Sequence, residues 1–232
     1  MFPAIILGGG EATRLRPITN TLPKCLVPVS GKPFLEHQLL QLKQHNISEV
    51  FLCLHYRAQQ VIDFIKNKNS FGMDIHFLMD GEKPLGTGGA ILNNLDKLPE
   101  YFFVMYGDSY LQCDFKSVQS FYESAEKRAL MTVFENNNQW DKSNISLREE
   151  GTIKKYSKIA PTSDMRYIDY GLSILSKKNF EGRVPGSKFD LTEIYENLIQ
   201  SNELLGFKVS KRFYEIGSHE GLQELNLLLT KG

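Results

Sequence analysis

Residues 5–10 read IILGGG, an apolar run that meets three consecutive glycines, and this junction constrains the chain more than any other stretch. It predicts a buried strand that ends where the backbone must turn tightly and leave its N–H groups uncovered by side chains. Arg14, Arg16 and Lys24 follow within the first 24 residues. Fixed amide dipoles and mobile cations would then face one polyanion. The same glycines would serve a plain strand-to-helix connection, and neither the Gly-Lys-Ser/Thr nor the Gly-x-Gly-x-x-Gly phosphate pattern is present. The meaning of the loop therefore depends on its partners elsewhere in the chain.

Prolines at 17, 23, 28 and 33 predict a loop through most of the next stretch. Leu35, Leu39 and Leu42 then fall near helical spacing between about 33 and 46, and residues 49–54 (EVFLCL) read as a strand, the pattern of a parallel βαβ crossover. The alternation continues with a helix carrying Val61, Ile62 and Ile65, a strand at 74–78, and a helix at 88–97 behind a glycine-rich turn. Residues 101–106 (YFFVMY) form an uninterrupted apolar run, as expected of a central strand buried on both faces. A helix at about 115–128 and a strand at 129–134 follow. Residues 144–159 read as two strands about a Glu150-Gly151 turn, and residues 167–176 as another strand. Asp190 and Glu193 have the spacing of a helix N-cap and its N3 partner, opening a helix to about 202. A strand near 205–210 and a helix from Ser218 with Leu222, Leu225 and Leu229 end the chain, so no added C-terminal module is expected. The predicted fold is a Rossmann-like three-layer α/β/α sandwich with a mostly parallel central sheet.

The 27 basic residues balance the 27 acidic ones, which provides no global field for nucleic acid or an anionic membrane. Any anion site must be local. Cys25, Cys53 and Cys113 are odd in number and far apart, which fits a reducing cytoplasm better than a disulfide framework or a zinc cluster. The opening MFPAIILGGG has no charged n-region and too short an apolar run for a signal peptide or a membrane span.

A ligand in an open parallel sheet binds outside the carboxyl ends of its strands, so the loops that follow strands are the ones to inspect. Gly107-Asp108 ends the most apolar strand, where a carboxylate needs a partner such as a cation or must form part of a turn. Glu215, flanked by aromatic and aliphatic residues, is a second carboxylate. The two could hold one Mg²⁺, which uses one or two carboxylates, waters and substrate phosphate oxygens. Gly86, Gly88 and Gly89, around Thr87, would let a ring or ribose approach the backbone of a helix start, or would simply make a turn. Asp80 and Glu82 could accept hydrogen bonds from a base with adjacent N–H donors, as guanine has.

Taken together, these motifs resemble those of the sugar-1-phosphate nucleotidylyltransferases, in particular the small mannose-1-phosphate and heptose-1-phosphate guanylyltransferases and the muramyl-type uridylyltransferases. Gly9, Gly10, Thr13, Arg14, Leu15, Pro23 and Lys24 match the opening signature. Gly86-Thr87-Gly88-Gly89, Gly107-Asp108 and Glu215-Ile216-Gly217 extend the resemblance along nearly the whole chain. Three positions depart from it: Ala12 replaces the last loop glycine, Glu215 stands where Asp is usual, and Ser157-Lys158 replaces Glu-Lys before a missing proline.

The resemblance implies one nucleotidyltransferase domain over 1–232, with a nucleotide-binding part at about 1–112 and a sugar-phosphate part at about 113–232. It implies transfer of a nucleotidyl group from an NTP, GTP favoured, to a sugar 1-phosphate, with Mg²⁺ as cofactor and no need for a covalent enzyme nucleophile. Leu7, Gly8, Gly9, Gly10, Thr13 and Arg14 would hold the triphosphate, with Asp80, Glu82, Gly86, Thr87 and Gly88 around the base and ribose. Arg14, Lys24 and Asp108 would be catalytic, Asp108 and Glu215 metal ligands, and Lys158, Asp169, Tyr170 and Gly171 the sugar-phosphate contacts. The expected protein is a cytoplasmic monomer or homodimer. Two rivals are a phosphocholine-type cytidylyltransferase, whose cage Tyr156, Tyr167 and Tyr170 could supply, and a non-catalytic nucleotide or sugar sensor.

Overall fold

A computed structural model describes residues 1–10, 12–81 and 83–231, without the side chain of residue 231. Four strands run parallel in the first half: β1 (Ala4–Leu7), β4 (Glu49–Leu54), β5 (Asp74–Met79) and β6 (Tyr101–Tyr106), with a small antiparallel ribbon of β2 (Pro28–Val29) and β3 (Lys32–Pro33) between the first two. The chain steps outward from β1 to β4 and β5, then returns to lay β6 on the other side of β1. A crevice between β1 and β6 at their carboxyl ends is the consequence of that reversal.

The second half adds β7 (Ser109–Tyr110), β8 (Ala129–Glu135), β9 (Ile145–Leu147), β10 (Ile153–Tyr156), β11 (Tyr167–Ser176), β12 (Leu204–Val209) and β13 (Tyr214–Glu215). Antiparallel β11 extends the main sheet from β6, and β8 with its parallel partner β12 continues from β11. β9 and β10 hang on the start of β11. The register of β11 against β8 shifts between Asp169 and Ser173, where Gly171 adopts φ +92°. This irregularity bends the strand beside the crevice.

Alternate residues of β6 explain its uninterrupted apolar run. Phe103 and Met105 join the core formed with Leu35 and Leu39 of α1 (Phe34–Gln44), Val61 and Ile65 of α2 (Ala58–Asn67) and Val118 of α4 (Phe115–Glu123). Phe102 and Val104 face the opposite core, with Ile91 of α3 (Gly86–Leu92) and Ile194 and Leu198 of α5 (Leu191–Gln200). Helices thus cover both faces of the sheet, and the three-layer expectation holds. A third cluster joins Leu15, Val27 and Phe34 to Ile216 and to Leu222 and Leu225 of α6 (His219–Lys231), returning the C-terminal segment to the loop after β1.

The bounds of β4, β5, β6, β8, β11 and β12 follow the predicted ones within a residue, whereas β9 and β10 cover less of 144–159 than expected and α3 and α4 are shorter than expected. Asp190 does cap α5, accepting from the Thr192 amide at 2.9 Å, but Glu193 turns away to pair with Arg183 at 2.8 Å instead of closing a capping box. No helix among the described residues is long and apolar enough to cross a membrane.

Candidate active site

The crevice holds a cavity of about 440 Å³ lined by Leu7, Gly8, Gly9, Gly10, Ala12, Lys24, Asp80, Gly86, Thr87, Tyr106, Asp108 and Lys158, among others. Its floor is made by the ends of β1 and β6, where Gly107 donates to the Leu7 carbonyl at 3.1 Å. The Gly8 amide is spent on the Cys53 carbonyl at 3.0 Å. Beyond it the chain is open: a methyl group on Gly10 would meet no protein atom within 4 Å. The fold therefore does not require that glycine, and the space beside its backbone is the cavity itself. Cys25 and Cys53 also line the wall, and burial pushes the Cys25 thiol up to about 12. It holds no thiolate near neutral pH.

Ala12 adopts φ 49°, ψ 52°, the left-handed conformation that the departure from glycine at this position put at issue. The turn is held by its carbonyl, which accepts from the Leu15 amide at 3.1 Å and from Thr19 Oγ1 at 2.9 Å. A residue with Cβ costs about 1 kcal/mol there. Ala12→Gly is expected to raise Tm by about 3 °C, a shift that scanning calorimetry resolves; no rise would show that the hydrogen bonds fully set the turn. Thr13 and Arg14 follow on exposed backbone. Arg14 does not line the first cavity but a neighbouring one, so its predicted triphosphate contact has no support in this geometry.

Lys24 and Asp108 meet as an ion pair at 2.6 Å. Pairing of β13 with β7 sets Glu215 opposite Ser109, and the Ile216 amide donates to the Asp108 carbonyl at 2.9 Å. Two carboxylates from residues far apart in sequence thus come to one edge of the crevice. The Glu215 oxygens accept from the Gly217 amide at 2.9 Å and from Ser218 Oγ at 3.1 Å. A Cβ on Gly217 would lie 2.1 Å from Glu215 Oε2 and 3.2 Å from Lys24 Nζ, which sets the ammonium beside both acids. Carboxylates have more acceptor sites than these contacts use, and an all-oxygen pair at the edge of the crevice fits a hard divalent cation. Among the described residues, a separate trio of Glu49, Asp74 and His76 lies at the amino ends of β4 and β5, away from the crevice.

On the base side, Asp80 follows β5 and is half-buried. Its Oδ2 accepts weakly from the Leu85 amide at 3.4 Å, while the inaccessible Oδ1 has no hydrogen-bond partner among the described residues. Burial raises the Asp80 carboxyl above the usual range, against the pull of the Leu85 amide and His55. Glu82 lies outside the described residues. The glycines of α3 also serve a packing purpose, while Gly86 lines the cavity as expected. A Cβ on Gly86 would lie 2.5 Å from the Phe189 carbonyl oxygen, and one on Gly88 would lie 2.2 Å from the Phe189 ring. The Gly88 and Gly89 amides donate to that same carbonyl at 3.1 and 3.2 Å. Thr87 Oγ1 donates to Asp190 at 2.8 Å and accepts from the Leu191 amide at 2.8 Å. These residues clasp α3 to the start of α5. Phe189 and Asp190 were not legible as partners, because their separation from α3 leaves no local signal.

Across the crevice, Lys158 reaches the first cavity over the Tyr106 ring, 4.9 Å from its centroid. Asp169 is buried and fully engaged: Oδ2 accepts from Tyr106 and Tyr156 hydroxyls, both at 2.9 Å, and Oδ1 from the Gly171 amide at 2.9 Å. The neighbouring cavity, about 290 Å³, is lined by Arg14, Tyr106, Asn136, Trp140, Asp169, Gly171, Arg212 and Glu215, with others. Tyr170 corrects the expectation of a sugar contact. It is completely buried on the opposite side of β11, packing edge-on against Phe213 and accepting from the Gln112 amide at 2.7 Å. Alternation along a strand explains this, since Asp169 and Gly171 face the crevice and Tyr170 cannot.

Residues 3–231 match the profile of the family described as nucleotidyl transferase. The bifunctional protein GlmU of Methanocaldococcus jannaschii is 27% identical over 232 residues, 97% of this chain and 54% of that protein. The D-glycero-alpha-D-manno-heptose 1-phosphate guanylyltransferase of Campylobacter jejuni is 36% identical over 116 residues, 50% of this chain and 52% of the relative. The chain thus spans about half the length of these curated relatives, or matches about half of it. Among solved structures, HddC from Yersinia pseudotuberculosis superposes with a TM-score of 0.83 at 26% identity, covering 99% of this chain and 100% of that one; HddC has also been solved complexed with GMP-PN.

Proposed function

The chain belongs to the nucleotidyl transferase family, and from that premise we propose that it joins a sugar 1-phosphate to an NTP, with GTP favoured, forming an NDP-sugar and releasing pyrophosphate. The observation that carries this reading is the convergence on one crevice of the open loop after β1, the Lys24–Asp108 pair, Glu215 and Lys158. A phosphate oxygen of the sugar 1-phosphate attacks the α-phosphorus, and the bond from that phosphorus to the oxygen bridging toward the β-phosphate breaks. The nucleophile is already anionic near neutral pH, so positioning and charge neutralisation suffice. In this mechanism the backbone beyond Gly8 cradles the triphosphate, Lys24 meets the charge that develops at the α-phosphate, and Lys158 meets the phosphate of the sugar. Asp108 and Glu215 would hold Mg²⁺, which neutralises phosphate charge when bound.

Asp80 in the cavity wall supports guanine, whose adjacent N1–H and N2–H donors a carboxylate at this position can accept. The relative named as a heptose 1-phosphate guanylyltransferase and the HddC structure complexed with GMP-PN point the same way. The phosphocholine alternative is not favoured by the cage residues: Tyr170 is in the core, and the rings of Tyr156 and Tyr167 already carry the Lys158 and Lys208 ammoniums.

Pyrophosphate release, measured with each NTP against a panel of sugar 1-phosphates and phosphocholine, tests the reading. Release is expected with a sugar 1-phosphate, fastest with GTP, and EDTA is expected to stop it with recovery on Mg²⁺ addition. Tight NTP binding without release from any pair would assign the chain to the sensor reading.

A further inference from the structure

Four side chains between the two cavities form a continuous polar chain. Tyr106 lines both cavities and is therefore the wall between them. Its hydroxyl donates to Asp169 Oδ2 at 2.9 Å, which turns the oxygen lone pairs outward, where Lys158 Nζ donates at 3.4 Å. Tyr156 donates to the same carboxylate oxygen and offers its ring face to Lys158 at 5.7 Å. Burial and the adjacent Asp169 charge raise both phenols far above their ordinary range, so both stay protonated as donors. The Asp169 backbone is pinned in turn, its amide donating to Asn144 Oδ1 at 3.0 Å and its Oδ1 accepting from Gly171.

We propose that Asp169 is a positioning residue, whose carboxylate aims Tyr106 and Tyr156 so that their ring faces and the Tyr106 hydroxyl hold the Lys158 ammonium at the mouth of the nucleotide cavity. A long, exposed lysine would otherwise sample many rotamers, and ordering it on binding is costly. Two aromatic faces and a polarised hydroxyl confine it beforehand, and the buried charge of Asp169 strengthens the chain through the phenols. No described acidic group lies within salt-bridge distance of Lys158, although Asp190 is near enough to feel its charge. The role in turnover rests on the function proposed above, in which Lys158 meets the sugar phosphate; the anchoring itself does not.

The test therefore reads both. Lysine amines of the folded protein are reductively ¹³C-methylated, which keeps their charge, and the Lys158 resonance is assigned by its loss in Lys158→Arg. In the wild type the tyrosine rings are expected to shift this resonance away from those of the exposed lysines. In Asp169→Asn, which loses the charge and cannot accept from both phenols and from the Gly171 amide at once, and in the less demanding Tyr156→Phe, it should return toward the exposed position while other lysine resonances stay. With unmodified protein, both variants should raise KM for the sugar 1-phosphate about 10-fold and leave KM for the NTP within twofold. An unmoved Lys158 resonance in both variants, or a moved resonance with an unchanged sugar 1-phosphate KM, would overturn the proposal. If the wild type turns over no pair but the resonance moves as described, the anchoring stands and the proposed reaction fails.

Discussion

Asp108→Asn is expected to lower kcat about a thousandfold while leaving the fold in place. Asp108 owes its position to the backbone, not to its carboxylate: β6 ends there, and its carbonyl accepts from the Ile216 amide at 2.9 Å whatever the side chain is. The ion pair with Lys24 is partly buried, at 14% and 32% side-chain accessibility, so its loss costs about 1–3 kcal/mol, short of the total stability of a domain. What the substitution removes is a negative charge at the place where a cation and the triphosphate are proposed to meet. Asparagine keeps the size and one oxygen, so a large drop would report charge and not shape. Steady-state kinetics over a Mg²⁺ series, alongside a thermal melt, checks this. A kcat close to wild type would remove Asp108 from the proposed metal site.

Asp108 was visible because a carboxylate ending a fully apolar strand is costly without a partner. The fold was legible for a related reason. The apolar run at 101–106 has only one way to bury both faces, and β6 occupies that central position. Helix ends were less legible: α4 stops at Glu123 where a helix to about 128 was expected, because a mostly polar surface sequence carries little information on where packing ends. Site residues divided along similar lines. Gly8, Asp80, Lys24 and Lys158 do line one cavity, since each lies in a loop at the carboxyl end of a strand or close beyond it. Tyr106 and Phe189 escaped notice, and Tyr156 was read only as part of a choline cage, because their roles depend on side chains that meet only through tertiary contacts. Tyr170 was misplaced by assigning a whole tripeptide to the site, although the period of two along β11 allows only Asp169 and Gly171 to face it.

Two glycines that look alike in sequence are expected to fail in opposite ways. At Gly86, φ is +77° and a Cβ would lie 2.5 Å from the Phe189 carbonyl oxygen, a backbone atom that cannot swing aside as a side chain could. Gly86→Ala combines left-handed strain with overpacking, together about 3 kcal/mol, and should lower Tm by roughly 10 °C. Its effect on the NTP should come only through loosening of α3 from α5. At Gly10, no φ strain is present and nothing lies within 4 Å of the added methyl, so Gly10→Ala should leave Tm within about 1 °C. The methyl would instead enter the cavity beside the backbone proposed to cradle the triphosphate, raising KM for the NTP about 10-fold or more. Thermal melts and NTP titrations of the two variants separate a glycine required by packing from one required by a ligand. A stable Gly86→Ala with weakened NTP binding would return the α3 glycines to the nucleotide, and an unaffected Gly10→Ala would take the triphosphate off the loop after β1.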